Sequence, residues 1–313
     1  MSTQDLLTGP LSVVTAGAAL LSEEIRAQGV PVTDVQWAPP APGTAGPLAR
    51  VLADPRRAEA NRTAVERMMA AGAELVDVRP AHEAVGLERG HFLHAGPPIE
   101  WERMSGPMRG AMIGAVLFEG LAQTPEEAEA ELARGTFTFE PCHHRGAVGP
   151  MAGVVSPSMW MFELRDPASD RRSWCSLNEG LGKVLRYGAY SEEVITRLRW
   201  MTDVLGPLLQ TAARATGSVD IMAIIAQMVQ MGDEGHNRNR AGTLMLMRDL
   251  LPAMVESGAP STQVADAVRF IGGNDHFFLN LGMPACKLLT SAGADIPGST
   301  VVTVMARNGT DFG

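Results

Sequence analysis

Two long apolar stretches dominate the second half of the chain. Val219–Met231 carries an apolar side chain at most positions, and Ala241–Val255 is rich in Leu and Met. A helix that is apolar on nearly every side is normally buried, so both segments are expected inside the protein. Between them runs Gly232-Asp233-Glu234-Gly235-His236-Asn237-Arg238-Asn239-Arg240. Such side chains are costly to bury unless they pair with one another or with a ligand. The stretch is therefore either a satisfied polar turn between core helices or part of a small-molecule site. Residues 141–145 and 274–276 interrupt apolar sequence in the same way. Buried polar groups need partners, so the three clusters are expected to meet in one pocket.

The remaining pattern predicts alternating strands and helices. Leu11–Ala16 reads as a strand, Gly17 opens a helix that Gly29 ends, and Val30–Trp37 reads as a second strand. This order makes a βαβ unit of a parallel sheet. A GxGxxG dinucleotide fingerprint is absent, so Gly17 is read as a turn. With a helix over Asp54–Ala71 and a strand over Glu74–Val78, residues 1–85 are expected to form a small α/β domain. Gly110 and Gly114, four apart in an apolar helix, would let another backbone come close. Thr124-Pro125-Glu126-Glu127 has an N-cap, a first-turn Pro and first-turn acids. Thr136–Glu140, Trp160–Leu164 and Trp174–Leu177 read as strands, residues 186–260 as mainly helical and Thr300–Met305 as a late strand. Glu179 and Lys183 are spaced for an ion pair on a helix, with an active-site loop as the alternative.

Composition narrows the classes. The 313 residues suit two or three domains. A net charge of −9 argues against nucleic acid as the main partner, since phosphate binding needs a basic face. The three cysteines, Cys142, Cys175 and Cys286, match no zinc or CxxC spacing and suit a reducing cytoplasm. No signal peptide or membrane-spanning run is read. The 18 Met are read as core filler.

The stretch after Thr136–Glu140 is unusual: Pro141-Cys142-His143-His144-Arg145 leads into a loop holding Gly149, Gly153 and Ser156. Backbone N–H groups and hydroxyls of that loop could cradle an oxyanion, or the segment is a tight turn with one structural His. Adjacent residues of an extended chain face opposite sides, so His143 and His144 can share a pocket only from a loop.

These motifs, with Asn178-Glu179-Gly180-Leu181-Gly182-Lys183, Gly273-Asn274-Asp275-His276-Phe277-Phe278-Leu279-Asn280 and Met305-Ala306-Arg307-Asn308-Gly309, resemble the YlbE/AllG family in the same order along the whole chain. The resemblance implies a multidomain fold, α/β plus α+β. It places a small Rossmann-like α/β domain at 1–85, an α+β domain at 86–185, a helical domain at 186–260 and the start of an incomplete C-terminal α+β region at 261–313, beyond which family members continue. It also implies work in ureide and allantoin catabolism. One member is similar to a subunit of oxamate carbamoyltransferase, which interconverts oxamate plus carbamoyl phosphate with oxalurate plus phosphate. The expected partners are these small anions, partner subunits and further copies of the chain, without nucleic acid, membrane, metal or other cofactor.

Carbamoyl transfer needs cations for the anions, a donor for the carbonyl oxygen and an acceptor for the proton of the attacking nitrogen. Arg145, Arg238 and Arg307 suit the anions. His143, His144, His236 and His276 suit proton transfer or carbonyl polarisation, oriented by Asp233, Glu234 and Asp275. Asn178, Glu179, Lys183, Asn237, Asn274 and Asn308 complete the candidate substrate contacts. Two other classes remain. One is a metal-dependent amidohydrolase with ligands drawn from Glu234, His236, His143 or His144, Asp275 and His276, although HxH and HExxH spacings are absent. The other is a non-catalytic subunit of a larger enzyme.

Overall fold

A computed structural model describes residues 11–35, 43–149, 153–236 and 238–301, and the backbone of 307–308 and 311–312. The chain divides into two compact units, Met1–Arg57 and Ala58–Gly313. In the first, β1 (Val13–Thr15), α1 (Ala19–Ala27) and β2 (Val32–Asp34) form the anticipated βαβ unit, with β1 and β2 parallel, followed by α2 (Ala45–Ala53). Thr15 donates to Asp34 at 2.7 Å and Arg26 pairs with the same carboxylate. Arg26, then Ser22 and Thr15, hold Asp34 well below the usual carboxylate range.

The second unit begins within α3 (Pro55–Ala70) and is built on β3 (Glu74–Pro80). The sequence reading assigned this strand to the N-terminal domain. It pairs instead with β8 (Trp160–Arg165) in a five-stranded sheet. The reason is chemical: Glu163, wholly buried in β8, accepts from Arg79 of β3 and Arg172, clamping three strands together. The short helix α4 (Ala81–Ala84) leads to β4 (His91–His94), α5 (Gly106–Phe118) and α6 (Pro125–Ala133). The α6 start is the one read from sequence. Thr124 accepts from Glu127 N–H at 3.2 Å, and Glu127 accepts from Gln123 N–H at 2.7 Å.

After α6, β5 (Thr138–Pro141) and the single helical turn Cys142–Arg145 precede β6 (Ala147–Val148) and β7 (Val154–Val155). A three-stranded sheet runs β5-β4-β7, with β4 parallel to β5 and antiparallel to β7. Beyond β8 and β9 (Arg172–Ser176) come α7 (Glu192–Trp200), a π turn at Met201–Leu205, α8 (Gly206–Thr216), β10 (Val219–Asp220), α9 (Ile221–Gln230), α10 (Arg240–Glu256), α11 (Ser261–Gly272) and α12 (Leu279–Ala292). The larger sheet has the order β10-β3-β8-β9-β6, antiparallel except for the parallel pair β6/β9. Helix α8 packs on β3 and α10 on α8, while α12 lies across β8, β9 and β6. A final pair, β11 (Arg307–Asn308) and β12 (Asp311–Phe312), is antiparallel. The strand anticipated at Thr300–Met305 lies largely outside the described residues.

Phe162 and Phe277, both fully buried, meet edge to face at 5.7 Å and join sheet to helices. Each ring buried this way contributes about 1.5–3 kcal/mol. Gly110 is needed for a close crossing, as anticipated: a Cβ there would sit 2.2 Å from the Gly188 carbonyl oxygen. One at Gly114 would strike Leu185 and Tyr190.

Candidate functional site

Helix α12 presents one helical face, Leu279, Met283, Cys286, Lys287 and Thr290, with Ala294 just past its end, to a cavity of about 880 Å³. The opposite walls are the end of β4 with Ala95 and Gly96, the Cys142–His143 turn, β6 and Gly149. Helix α9 closes another side with Ile225, Met228 and Val229, and the loop Glu234-Gly235-His236 forms the rim. The wall is mostly apolar, and among the described residues its ionisable side chains are His143, Glu234, His236 and Lys287 besides the two thiols.

Two of the three polar clusters therefore line this cavity together, and the third does not. His143 and residues 234–236 share the cavity. Residues 274–276 lie elsewhere, because their amides are consumed by the loop 178–180. The Asn178 side chain donates to the His276 carbonyl at 2.7 Å and to Asn280 at 3.3 Å. It accepts from Gly180 N–H at 2.8 Å and from Asn274 at 3.1 Å. Asn274 also accepts from His276 N–H, so this knot is fully paired and buried. Asp275 faces Arg240 on the surface at 3.6 Å.

Glu179 and Lys183 do not form the helical pair that their spacing suggests. Gly180 and Gly182 adopt φ of 104° and 85°, which break any helix between them. Glu179 turns inward and accepts from Leu185 N–H at 2.6 Å. Burial pushes its carboxyl pKa up, against the pull of that N–H and of Arg186. Lys183 is exposed.

The turn Cys142–Arg145 separates its two imidazoles by role. The rings touch at 70° with centroids 4.5 Å apart, and His143 lines the cavity while His144 lies 3.7 Å from Glu140. Glu140 also accepts from Arg145 at 2.6 Å and sits 3.2 Å from His91. Arg145 further donates to the Val85 carbonyl at 3.2 Å, so its charge is already met inside the protein. Ser156, read as an oxyanion donor, gives its hydroxyl to the Glu119 carboxylate instead.

Within 232–240, Asp233 accepts from Ala241 N–H at 2.7 Å, capping α10 from outside the helix. Glu234 accepts from Arg238 N–H at 2.8 Å. Arg238 and His236 are exposed, His236 at the cavity rim. Asn237 and the side chains of Arg307 and Asn308 fall outside the described residues.

Burial first, then His144 and Lys287, push the His143 pKa below its ordinary value. At neutral pH this imidazole is uncharged and can take up or pass a proton. Sequence reasoning missed Lys287, which carries the cavity's ammonium, and His94, fully buried in β4. One signal for Lys287 was available: the chain contains 24 Arg and only 2 Lys. Among the described residues, no group of three His, Cys, Asp or Glu side chains is placed to hold a metal ion, and no helix is long and apolar enough to cross a membrane.

A family model described as oxamate carbamoyltransferase subunit AllG matches residues 137–313. The oxamate carbamoyltransferase subunit AllG of Escherichia coli strain K12 is 45% identical over 259 residues, covering 82% of this chain and 62% of that protein. The uncharacterized protein YahG of the same strain is 40% identical over 318 residues, covering 99% of this chain and 67% of its own length. The crystal structure of a conserved protein of unknown function from Enterococcus faecalis V583 superposes with a TM-score of 0.80 at 40% identity, over 82% of this chain and 62% of that one. The chain thus spans about two thirds of the length of these relatives.

Proposed function

The chain belongs to the AllG family, and from that premise we propose that it serves carbamoyl transfer between carbamoyl phosphate and oxamate, with its substrates seated in the cavity under α12. The observation that supports this most is that His143 and the 234–236 loop, from two of the family-like motifs, face one cavity together with Lys287. In the forward direction the amide nitrogen of oxamate attacks the carbamoyl carbon. A C–N bond forms, the C–O bond to phosphate breaks, and oxalurate and phosphate leave. The nitrogen's proton passes to neutral His143 or to the departing phosphate. His236 polarises the carbonyl oxygen, on which charge grows in the transition state. No covalent intermediate is required.

A second reading is that the chain is a structural subunit. Arg145, Asn178 and Asn274, candidates for substrate contact, and Asp233, a candidate to orient an imidazole, are held by bonds within the protein, as a scaffold would hold them. One experiment separates the two. Carbamoyl phosphate and oxamate are supplied to the chain alone and to the chain with its partner subunits, and phosphate release and ureido product are measured. Oxamate-dependent release that falls about a hundredfold in His143→Gln, in the range typical for loss of a general acid or base, supports catalysis in this cavity. Unchanged release in that variant would leave the chain as scaffold.

A further inference from the structure

We infer that Lys287, sharing the cavity wall with His143, is the cation that receives the carboxylate or phosphate group of a small anionic substrate. This inference rests on the carbamoyl-transfer reading of the same cavity. It begins with what the other cations do. Arginine supplies nearly all the positive charge of this chain, and among the described residues two arginines near the candidate motifs are engaged. Arg145 is held by Glu140 and the Val85 carbonyl, and Arg186 donates to the Gly180 carbonyl. Neither lines the cavity, nor does Arg238.

Lys287 differs in each respect. It lies in the middle of α12, on the face that carries Met283 and Thr290 into the cavity, and is half-buried. Glu234 lines the same cavity, but among the described residues no carboxylate is in ion-pair contact with Lys287. Burial pushes its ammonium pKa down, with Cys142 acting weakly the other way. A half-buried ammonium with no direct ion-pair contact is poorly compensated on a mostly apolar wall, and an anion bound there would relieve that cost. A compact ammonium also suits this position, because it can turn its three donors toward either a carboxylate or a phosphate. His143, uncharged beside it, is left to handle the proton.

The presence of only two lysines makes a direct test possible. The full chain is treated with limiting acetic anhydride, and acetylation of Lys287 and of exposed Lys183 is followed by mass spectrometry. Parallel samples contain oxamate, inorganic phosphate or chloride at matched ionic strength. The expected result is that oxamate or phosphate, at about ten times its dissociation constant, slows Lys287 labelling roughly tenfold by occupancy. Lys183 labelling stays unchanged, and chloride has no effect. Protection by oxamate alone identifies the acceptor carboxylate as the bound group, and protection by phosphate alone identifies the donor side. Equal labelling of Lys287 with and without both anions, or equal protection of Lys183, overturns the assignment. Protection without any carbamoyl transfer by the chain and its partner subunits would remove the transfer reading and keep the anion site. Transfer at undiminished rate in folded Lys287→Met would remove Lys287 and keep the reading.

Discussion

His94 shows how a single side chain sets a pH limit on this fold. Its ring is wholly buried, and Nδ1 lies 3.0 Å from the Ala95 carbonyl oxygen. That oxygen can only accept, so Nδ1 carries the proton and Nε2, which has no partner among the described residues, is bare. Burial lowers the pKa, His144 and His143 add to this, and the Ala95 carbonyl and Glu140 oppose it. The unfolded chain therefore binds a proton below about pH 6.5 that the folded chain refuses. Stability is full above that pH and is lost as the pH falls through it, at up to about 1.4 kcal/mol per pH unit for one proton. Melting temperature measured from pH 7.5 to 5.5 should decline, and His94→Gln should flatten the decline. An unchanged slope in that variant would assign the acid sensitivity to other groups. In the sequence His94 follows Phe92 and Leu93 as one polar residue, and nothing local distinguished it. Lys287 was hidden for a similar reason, since a lone Lys in an amphipathic helix ordinarily marks the solvent face.

At the scale of elements, local chemistry was legible and long-range partnership was not. The Thr124 cap and the Gly110–Gly114 spacing depend on neighbours in sequence, and both appear as read. The assignment of β3 depended on Glu163, more than eighty positions away in the chain. Asn178 and Asn274, read as substrate contacts, depend likewise on distant partners: with Asn280 they tie the segments 176–180 and 274–280 into a knot. Asn178→Ala would remove an amide with four bonded groups, leaving buried carbonyl and N–H groups unpaired. The expected loss is about 3 kcal/mol, since each unsatisfied group costs about 1–3. Urea denaturation measures it. A variant within about 0.5 kcal/mol of the parent, the range of ordinary surface changes, would mean that Asn178 is available for substrate after all.

For the molecule as a whole, residues distant in sequence line one cavity, proposed to take a small anion: His143 from the turn after β5, His236 from the loop before α10, and Lys287 from α12. The segment 274–276, equally polar in sequence, belongs to the framework. The chain has 7 histidines, so a carbon–proton correlation spectrum of its imidazoles, titrated with oxamate and then with phosphate against a chloride control, examines the claim at each ring. The His143 and His236 signals are expected to move together with one saturating curve, while His276 and the exposed His82 stay in place. Movement of His276 with His143 and His236 unmoved, or no saturable movement at any ring, would contradict it.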